Sequence, residues 1–159
     1  MAFLDPHTPT PHIAAAVYAQ RRQALARALG AGSVAIIPTA PEQVRNRDAH
    51  FPYRADSYFY YLTGFEEPQA WLVLEGGSGR TTVLCQPKDL EREIWDGYRL
   101  GPDAAPAALG VDVAWSSAAL DAQMPELLAG QETLYFPFAV QAGLPLQIQQ
   151  WLGALRNRA

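Results

Sequence analysis

The chain has 159 residues, a length typical of one domain with a buried core. Its 12 Lys and Arg against 16 Asp and Glu give a formal net charge of −4, which supplies no general attraction for nucleic acid. No apolar run is long enough to span a membrane, and a single cysteine, Cys85, excludes an internal disulfide. The composition predicts a cytoplasmic domain that binds neither nucleic acid nor a membrane.

The first part of the chain predicts a leader, a helix and a strand. Residues 1–11 contain three prolines and lack a secretory signal, which predicts a loosely ordered leader before a single domain over residues 12–159. Helical spacing predicts a helix from His12 to Leu29, ended by Gly30 and Gly32. Its predicted inner face holds Ile13, Val17, Ala24, Leu25 and Ala28. Ser33–Pro38 then predicts a short strand buried on both faces.

The stretch from Arg47 to Phe65 concentrates the unusual residues of the chain. Pro52 favours extended backbone before it, and the aromatic, β-prone run Tyr58–Thr63 predicts a strand that Gly64 ends. Four charged residues precede this run, which a plain core strand would not need: Arg47, Asp48, Arg54 and Asp56. The stretch is therefore a candidate for functional residues as well as for core packing.

The second half predicts further short elements. Two strands, Trp71–Leu74 and Arg80–Gln86, flank a glycine-rich link and predict a hairpin. The remaining predictions are a helix over Lys88–Trp95 ended by Gly97, a connection over Leu100–Ala108, a strand over Val111–Trp115, a helix over Ala118–Leu128 that Pro125 kinks or splits, a strand over Thr133–Phe136 and a helix over Leu144–Leu155. Helices around short strands, with one hairpin, predict a three-layer α/β/α domain with a mixed sheet.

The sequence shows no evident catalytic centre. A metallohydrolase needs several His and carboxylate side chains that converge on one point. The three histidines, His7, His12 and His50, have no such spacing, and the adjacent carboxylates Glu66 and Glu67 lie on a turn where they need not converge. The predicted strands carry no central acid for a two-metal nuclease, and no Gly-x-Ser-x-Gly elbow is present. We therefore expect neither a catalytic residue nor a metal site in this chain.

Several separated motifs occur in the order found in one known family. They are the Arg47–Phe65 stretch with its Tyr-Leu-Thr-Gly-Phe end, Glu66-Glu67-Pro68, the segment Arg92-Glu93-Ile94-Trp95-Asp96-Gly97-Tyr98-Arg99-Leu100-Gly101, and Leu109-Gly110-Val111. Together they resemble the amino-terminal domain of Xaa-Pro aminopeptidases (aminopeptidase P), in the creatinase/prolidase superfamily. The resemblance extends over residues 12–155 and implies a mixed sheet flanked by helices, with a ribonuclease-H-like motif.

The resemblance implies an accessory role for the chain. In this family a carboxy-terminal domain carries out catalysis and holds two divalent metal ions, commonly manganese, on Asp, Glu and His ligands. No part of this chain matches that domain, so the resemblance implies no cofactor here and no peptide hydrolysis by this chain alone. The implied partners are a carboxy-terminal catalytic domain, further copies in a tetramer or dimer, and a proline-containing peptide substrate.

Two substrate-binding residues are implied by the family motifs. Trp95 matches a tryptophan that reaches into a neighbouring subunit's active site, where an indole offers rigid apolar surface to proline. The alternative is that Trp95 packs on its own core. Asp48 matches an aspartate near the active-site entrance, where a carboxylate can hold a peptide's ammonium group. Its alternative is a loop cap or an ion pair with Arg47 or Arg54.

Two other functions stay open at this point. Creatinase-like domains without active sites serve as docking surfaces in chromatin-factor subunits, so the chain could be a stand-alone peptide- or protein-binding module. It could also be a stand-alone domain that binds small ligands or dimerises through apolar surface around Trp95. The Glu-Ile-Trp-Asp-Gly and Tyr-Leu-Thr-Gly-Phe motifs favour the peptidase lineage.

Overall fold

The computed structural model describes residues 13–42, 44–46, 49–50 and 53–158, the two short segments as backbone only. Its helices are α1 (Ala15–Leu29), α2 (Ser57–Thr63), α3 (Leu90–Asp96), α4 (Ala105–Leu109), α5 (Leu120–Leu128) and α6 (Leu144–Arg156). Its strands are β1 (Ser33–Pro38), β2 (Val44–Asn46), β3 (Ala49–His50), β4 (Trp71–Glu75), β5 (Thr81–Cys85), β6 (Val113–Ser116) and β7 (Thr133–Tyr135). The predicted leader, residues 1–11, lies outside the described residues.

Five of these strands form one mixed sheet in the order β6-β5-β4-β1-β7. β4 pairs antiparallel with both β1 and β5, and the β4–β5 pair is the predicted hairpin. β6 adds parallel to β5 at one edge, and β7 adds parallel to β1 at the other. β2 and β3 form a separate antiparallel pair. The prediction of a mixed sheet is confirmed.

Helices cover both faces of this sheet. Successive side chains of a strand point to opposite faces, so Leu72 and Leu74 of β4 face one core cluster while Trp71 and Val73 face the other. α1, α2 and α4 supply buried residues to the first cluster: Ala26, Phe59, Leu62, Ala105 and Leu109. α5 and α6 supply the second: Met124, Leu128, Leu144, Ile148 and Trp151. The predicted three-layer α/β/α architecture is confirmed.

The prediction of a strand for the aromatic run Tyr58–Thr63 is wrong, because these residues lie in helix α2. Asp56 caps its start, since a carboxylate oxygen accepts a hydrogen bond from the Phe59 N–H at 3.0 Å. Gly64 ends it with a left-handed backbone (φ 66°), where a Cβ would also lie 2.5 Å from the Tyr18 ring. The buried residues of α2 have helical spacing: Phe59, Leu62 and Thr63. Caps and helical burial outweigh the β-propensity of the aromatic residues.

Helix α1 turns to the core a face that agrees only in part with the predicted one. Of the predicted residues, Leu25 packs against the core and Val17 is half-buried. Ile13 is 47% exposed, and Ala24 and Ala28 are also exposed. The buried residues are Tyr18, Arg22 and Ala26, which follow one another at intervals of four. Apolar spacing misplaced this face because the central buried side chain is an arginine.

The Arg22 side chain joins three helices on one face of the sheet. The residue is 2% exposed, and its guanidinium donates to the backbone oxygens of Leu62 at 2.8 Å, Leu109 at 3.3 Å and Gly110 at 3.0 Å. These carbonyls lie at the carboxyl ends of α2 and α4, where helices leave acceptors unpaired and favour a cation. Burial lowers the pKa of Arg22, and the charge of Asp112 opposes that shift.

Two smaller differences from the predictions occur in the second half of the chain. The predicted connection over Leu100–Ala108 includes the start of α4, and α5 runs through Pro125 without a break. A 3₁₀ turn over Ser117–Ala119, capped by Ser116, precedes α5. The remaining predicted strands and the closing helix are confirmed within a few residues at their ends.

We predict that Arg22→Met lowers the free energy of unfolding by about 2–4 kcal/mol, because three backbone carbonyls lose their buried donors. Urea unfolding measures the change. The matched control is Arg27→Met on the exposed side of α1, for which we expect a change within about 0.5 kcal/mol. Equal stability of the two variants would show that the Arg22 bonds contribute nothing to the fold.

We predict that Cys85 is unreactive in the folded chain. The side chain is fully buried in β5, and burial, together with the charge of Glu67, raises the pKa of its thiol from 9.0 to about 11. The thiolate is the reactive form, so at pH 8 this shift alone slows reaction with a disulfide reagent by about a hundredfold. Comparison of the native and urea-unfolded chain tests this, and similar rates in both states would refute it.

Candidate functional site

Helix α3 carries a group of exposed apolar side chains. None of its seven residues is buried. The group consists of Leu90 (72% exposed), Ile94 (78%), Trp95 (87%) and, just after the helix, Tyr98 (72%). Single exposed apolar residues are common, but several together on one element mark a contact surface. We call these four residues the α3 patch.

The position of Trp95 tests one of its two sequence interpretations, that of a core residue. An indole that packed on the core of its own domain would be largely buried, as Trp71 and Trp151 are at 6% and 3% exposure. Trp95 instead leaves 87% of its surface in solvent. The interpretation of Trp95 as a core residue of its own domain is therefore wrong.

The ends of α3 follow from local sequence. Asp89 caps the start, because a carboxylate oxygen accepts a hydrogen bond from the Arg92 N–H at 3.1 Å. Gly97 ends the helix as predicted, and its N–H donates to the Glu93 carbonyl at 3.1 Å. The helix therefore begins at Leu90, two residues after the predicted start at Lys88.

A polar cluster lies between α3 and the segment that follows it. One carboxylate oxygen of Glu93, Oε1, accepts hydrogen bonds from Lys88 Nζ and from the Arg99 N–H, both at 2.7 Å. Lys88 Nζ also donates to the Arg99 carbonyl at 2.7 Å and lies 4.3 Å from the centre of the Tyr98 ring. We call Lys88, Glu93 and Arg99 the α3 clip. It links residues before, within and after the helix.

Glu67 connects the segment after α3 to the rest of the domain. Its Oε2 accepts a hydrogen bond from the Leu100 N–H at 2.9 Å. Burial raises the pKa of Glu67, and the bond from Leu100 opposes that shift. The pKa of Glu93 is lowered instead, because the Arg99 N–H and the Lys88 ammonium bind its anion. Glu66 is exposed, and Glu67 is bound by backbone, so their positions do not suggest a paired catalytic site.

Asp48, the second predicted substrate-binding residue, lies outside the described residues, as do Arg47, His7 and His12. The side chain of His50 is likewise not described. The role of Asp48 therefore stays a prediction.

The residues that follow Asp48 have structural partners. The Tyr53 hydroxyl lies 2.7 Å from the Thr39 hydroxyl and donates to the Ala40 carbonyl at 2.9 Å. Burial raises the pKa of Tyr53. Arg54 is exposed and lines an open cavity of about 320 Å³, together with Tyr53, Ala55, Ser57, Tyr60 and Glu66. These contacts position the loop before α2.

The described residues do not fit a metal centre. Within them, no group of three or more His, Cys, Asp or Glu side chains is arranged to hold a metal ion. A two-metal centre would need ligands from outside this part of the chain.

Among the helices of the described ranges, none has both the length and the apolar character needed to cross a membrane.

Sequence reasoning missed the α3 clip and the role of Glu67. Lys88 and Glu93 are five residues apart, and Glu67 is 33 residues from its partner Leu100. Neither spacing is a recognised helical pair. The available signal was Asp89, a favoured N-cap residue, which predicts the start of the helix but not what holds it in place.

The chain matches the family described as "Aminopeptidase P, N-terminal domain" over residues 18–135. It is 43% identical over 121 residues to the Xaa-Pro aminopeptidase of Escherichia coli (strain K12), covering 74% of this chain and 27% of that protein. It is 34% identical over 120 residues to the Xaa-Pro aminopeptidase of Haemophilus influenzae, covering 74% and 28%. The chain thus spans about a quarter of the length of these curated relatives.

Solved structures agree with these sequence matches. A single-substitution variant of Escherichia coli aminopeptidase P superposes with a TM-score of 0.88 at 38% identity, covering 92% of this chain and 34% of that one. Aminopeptidase PepP of Pseudomonas aeruginosa superposes with a TM-score of 0.87 at 36% identity, with the same coverage of 92% and 34%. Sequence and fold therefore agree that the chain belongs to the family of aminopeptidase P amino-terminal domains.

Proposed function

We propose that the chain is the non-catalytic amino-terminal domain of a metal-dependent Xaa-Pro aminopeptidase. Such an enzyme removes the amino-terminal residue of a peptide whose second residue is proline. In this proposal the domain serves oligomerisation and lines the substrate pocket of a neighbouring subunit. Family membership supports the peptidase lineage. The observation that carries the pocket role is the 87% exposure of Trp95 on a helix without buried residues.

The chemistry of Trp95 suits a shared pocket. A tryptophan buries about 150–250 Å² when it is covered and loses little conformational freedom on binding. Burial of apolar surface is favourable by about 25 cal/mol per Å², so an uncovered indole leaves a sizeable driving force for association. A proline ring offers the flat apolar partner that such a surface accommodates. Trp95 would supply affinity for the substrate without taking part in bond cleavage.

Catalysis would belong to a carboxy-terminal domain with two divalent metal ions, which we propose to be manganese. A zinc-substituted Escherichia coli aminopeptidase P has been solved in complex with product. The described residues here contain no metal-holding group, so the metals would be bound by that other domain. The enzyme would be a cytoplasmic tetramer or dimer.

We propose that Asp48 contributes at the entrance of the same pocket. A carboxylate binds an ammonium group through charge-assisted hydrogen bonds, and the substrate of an aminopeptidase carries an amino-terminal ammonium. Asp48 would then bind the terminal ammonium group of the substrate, and Trp95 would contact its proline ring.

A stand-alone peptide- or protein-binding module is the alternative. The α3 patch favours it as well, because an exposed apolar surface is suited to docking. The two functions differ in whether a catalytic domain is present in the same protein.

The first test is to read the gene downstream of the Ala159 codon and to express the whole open reading frame. We expect a second domain with two Asp, two Glu and one His as metal ligands. We expect the whole protein to release the first residue of Xaa-Pro peptides with Mn²⁺, whereas residues 1–159 alone are inactive. A stop codon directly after Ala159 would refute the peptidase proposal and favour the binding module.

We predict that Trp95→Ala raises KM for an Xaa-Pro peptide about tenfold or more in the whole enzyme, because substrate loses its apolar partner. Steady-state kinetics measure the effect. The free energy of unfolding should change by less than about 0.5 kcal/mol, since 87% of the Trp95 surface is already exposed in the folded domain. The control is Trp115→Ala, which removes a partly exposed tryptophan from β6. An unchanged KM in Trp95→Ala would contradict the pocket role.

A further inference from the structure

Helix α3 lacks the usual means of holding an orientation. A surface helix is normally fixed by an apolar face that it buries against the core, but none of the α3 residues is buried. With seven residues it is also too short to be stable by itself in water. Its orientation, and with it the direction of Trp95, must depend on other contacts.

The α3 clip supplies those contacts. Glu93 Oε1 receives two hydrogen bonds at 2.7 Å, one from a cation before the helix and one from the Arg99 N–H after it. The Glu93 side chain is 11% exposed and that of Lys88 is 43% exposed, so the carboxylate is largely enclosed while the ammonium group stays in contact with solvent. Both partners of Glu93 Oε1 form charge-assisted hydrogen bonds with it. Lys88 closes the ring by donating to the Arg99 carbonyl.

The clip is fixed to the body of the domain on two sides. Lys88 follows the buried strand β5 at a distance of three residues, and the Leu100 N–H donates to Glu67. Gly101 approaches closely as well: a Cβ there would lie 3.0 Å from Lys88 Cβ, and its φ of 77° favours glycine. The chain after the helix therefore returns against Lys88 itself.

Glu93, which binds the helix to the rest of the domain, and Trp95, which is exposed, lie on opposite sides of α3. Residues two positions apart on a helix point in nearly opposite directions. The Glu93 side chain points towards Lys88 and the Arg99 backbone, and the Trp95 side chain points into solvent. A carboxylate bound on the inner side would thereby hold the indole outward at a fixed angle.

We propose that Glu93 is a positioning residue: through Lys88 and the Arg99 N–H it fixes α3 so that Trp95 is presented to substrate in a ready-made orientation. The inference rests on the proposed function of Trp95 in a substrate pocket. A preset indole binds with a smaller loss of conformational freedom, so the effect appears in substrate affinity rather than in the chemical step.

The test compares Glu93→Gln with Glu91→Gln, an exposed carboxylate of the same helix outside the clip. In residues 1–159, we expect Glu93→Gln to speed hydrogen exchange of the Arg99 amide about tenfold or more and to shift the indole NMR signal of Trp95. The signals of Trp71 and Trp151 should not change, because both indoles lie in the buried cluster under α5 and α6. Glu91→Gln should change none of these quantities. Lys88→Met, which removes the cation, should reproduce the loosening.

In the whole enzyme we expect Glu93→Gln to raise KM about threefold to tenfold with kcat changed less than about twofold. Unchanged exchange at Arg99 would overturn the inference. So would a loosened α3 with a normal KM, if Trp95→Ala in the same assay raises KM. If Trp95→Ala leaves KM unchanged, the proposed function fails and the positioning claim with it, while the exchange data still report the clip.

Discussion

A buried guanidinium sets the arrangement of the helices on one face of the sheet. Arg22 binds backbone carbonyls at the ends of α2 and α4, so a single side chain of α1 fixes two other helices. Its neighbour Arg21 lies over the Tyr61 ring at 4.2 Å and donates to the Tyr61 carbonyl, which adds a second tie between α1 and α2. The buried charge is tolerated because it meets helix ends that need a donor.

The layers of the domain and helix α3 are stabilised by different kinds of interaction. The sheet and its covering helices depend on apolar burial, with side chains from both clusters alternating along β4. α3 depends on charged hydrogen bonds between Lys88, Glu93 and the backbone of Arg99. This difference lets α3 expose an apolar patch, since an orientation held by polar bonds leaves its apolar side chains free for a partner.

The aromatic stretch shows how close competing local preferences can be. Tyr and Phe favour strands, but Asp56 and Gly64 supply helix caps on either side, and only Phe59, Leu62 and Thr63 are buried. The caps were visible in the sequence and predict the helix once they are weighed with the spacing. The same reasoning explains the predicted end of α3 at Gly97, where cap and pattern agree.

The layered α/β architecture, the hairpin, most element bounds and the family could be predicted from the sequence, because periodicity, turns and motifs are local properties. The sequence also singled out Trp95, by its motif. The folded chain was needed to show that Trp95 is exposed, that Arg22 is among the buried residues of α1, and that Glu67 and Glu93 hold the segment around α3. Those outcomes depend on partners up to 88 residues away, whose carbonyls and amides carry no signature in the amino-acid sequence.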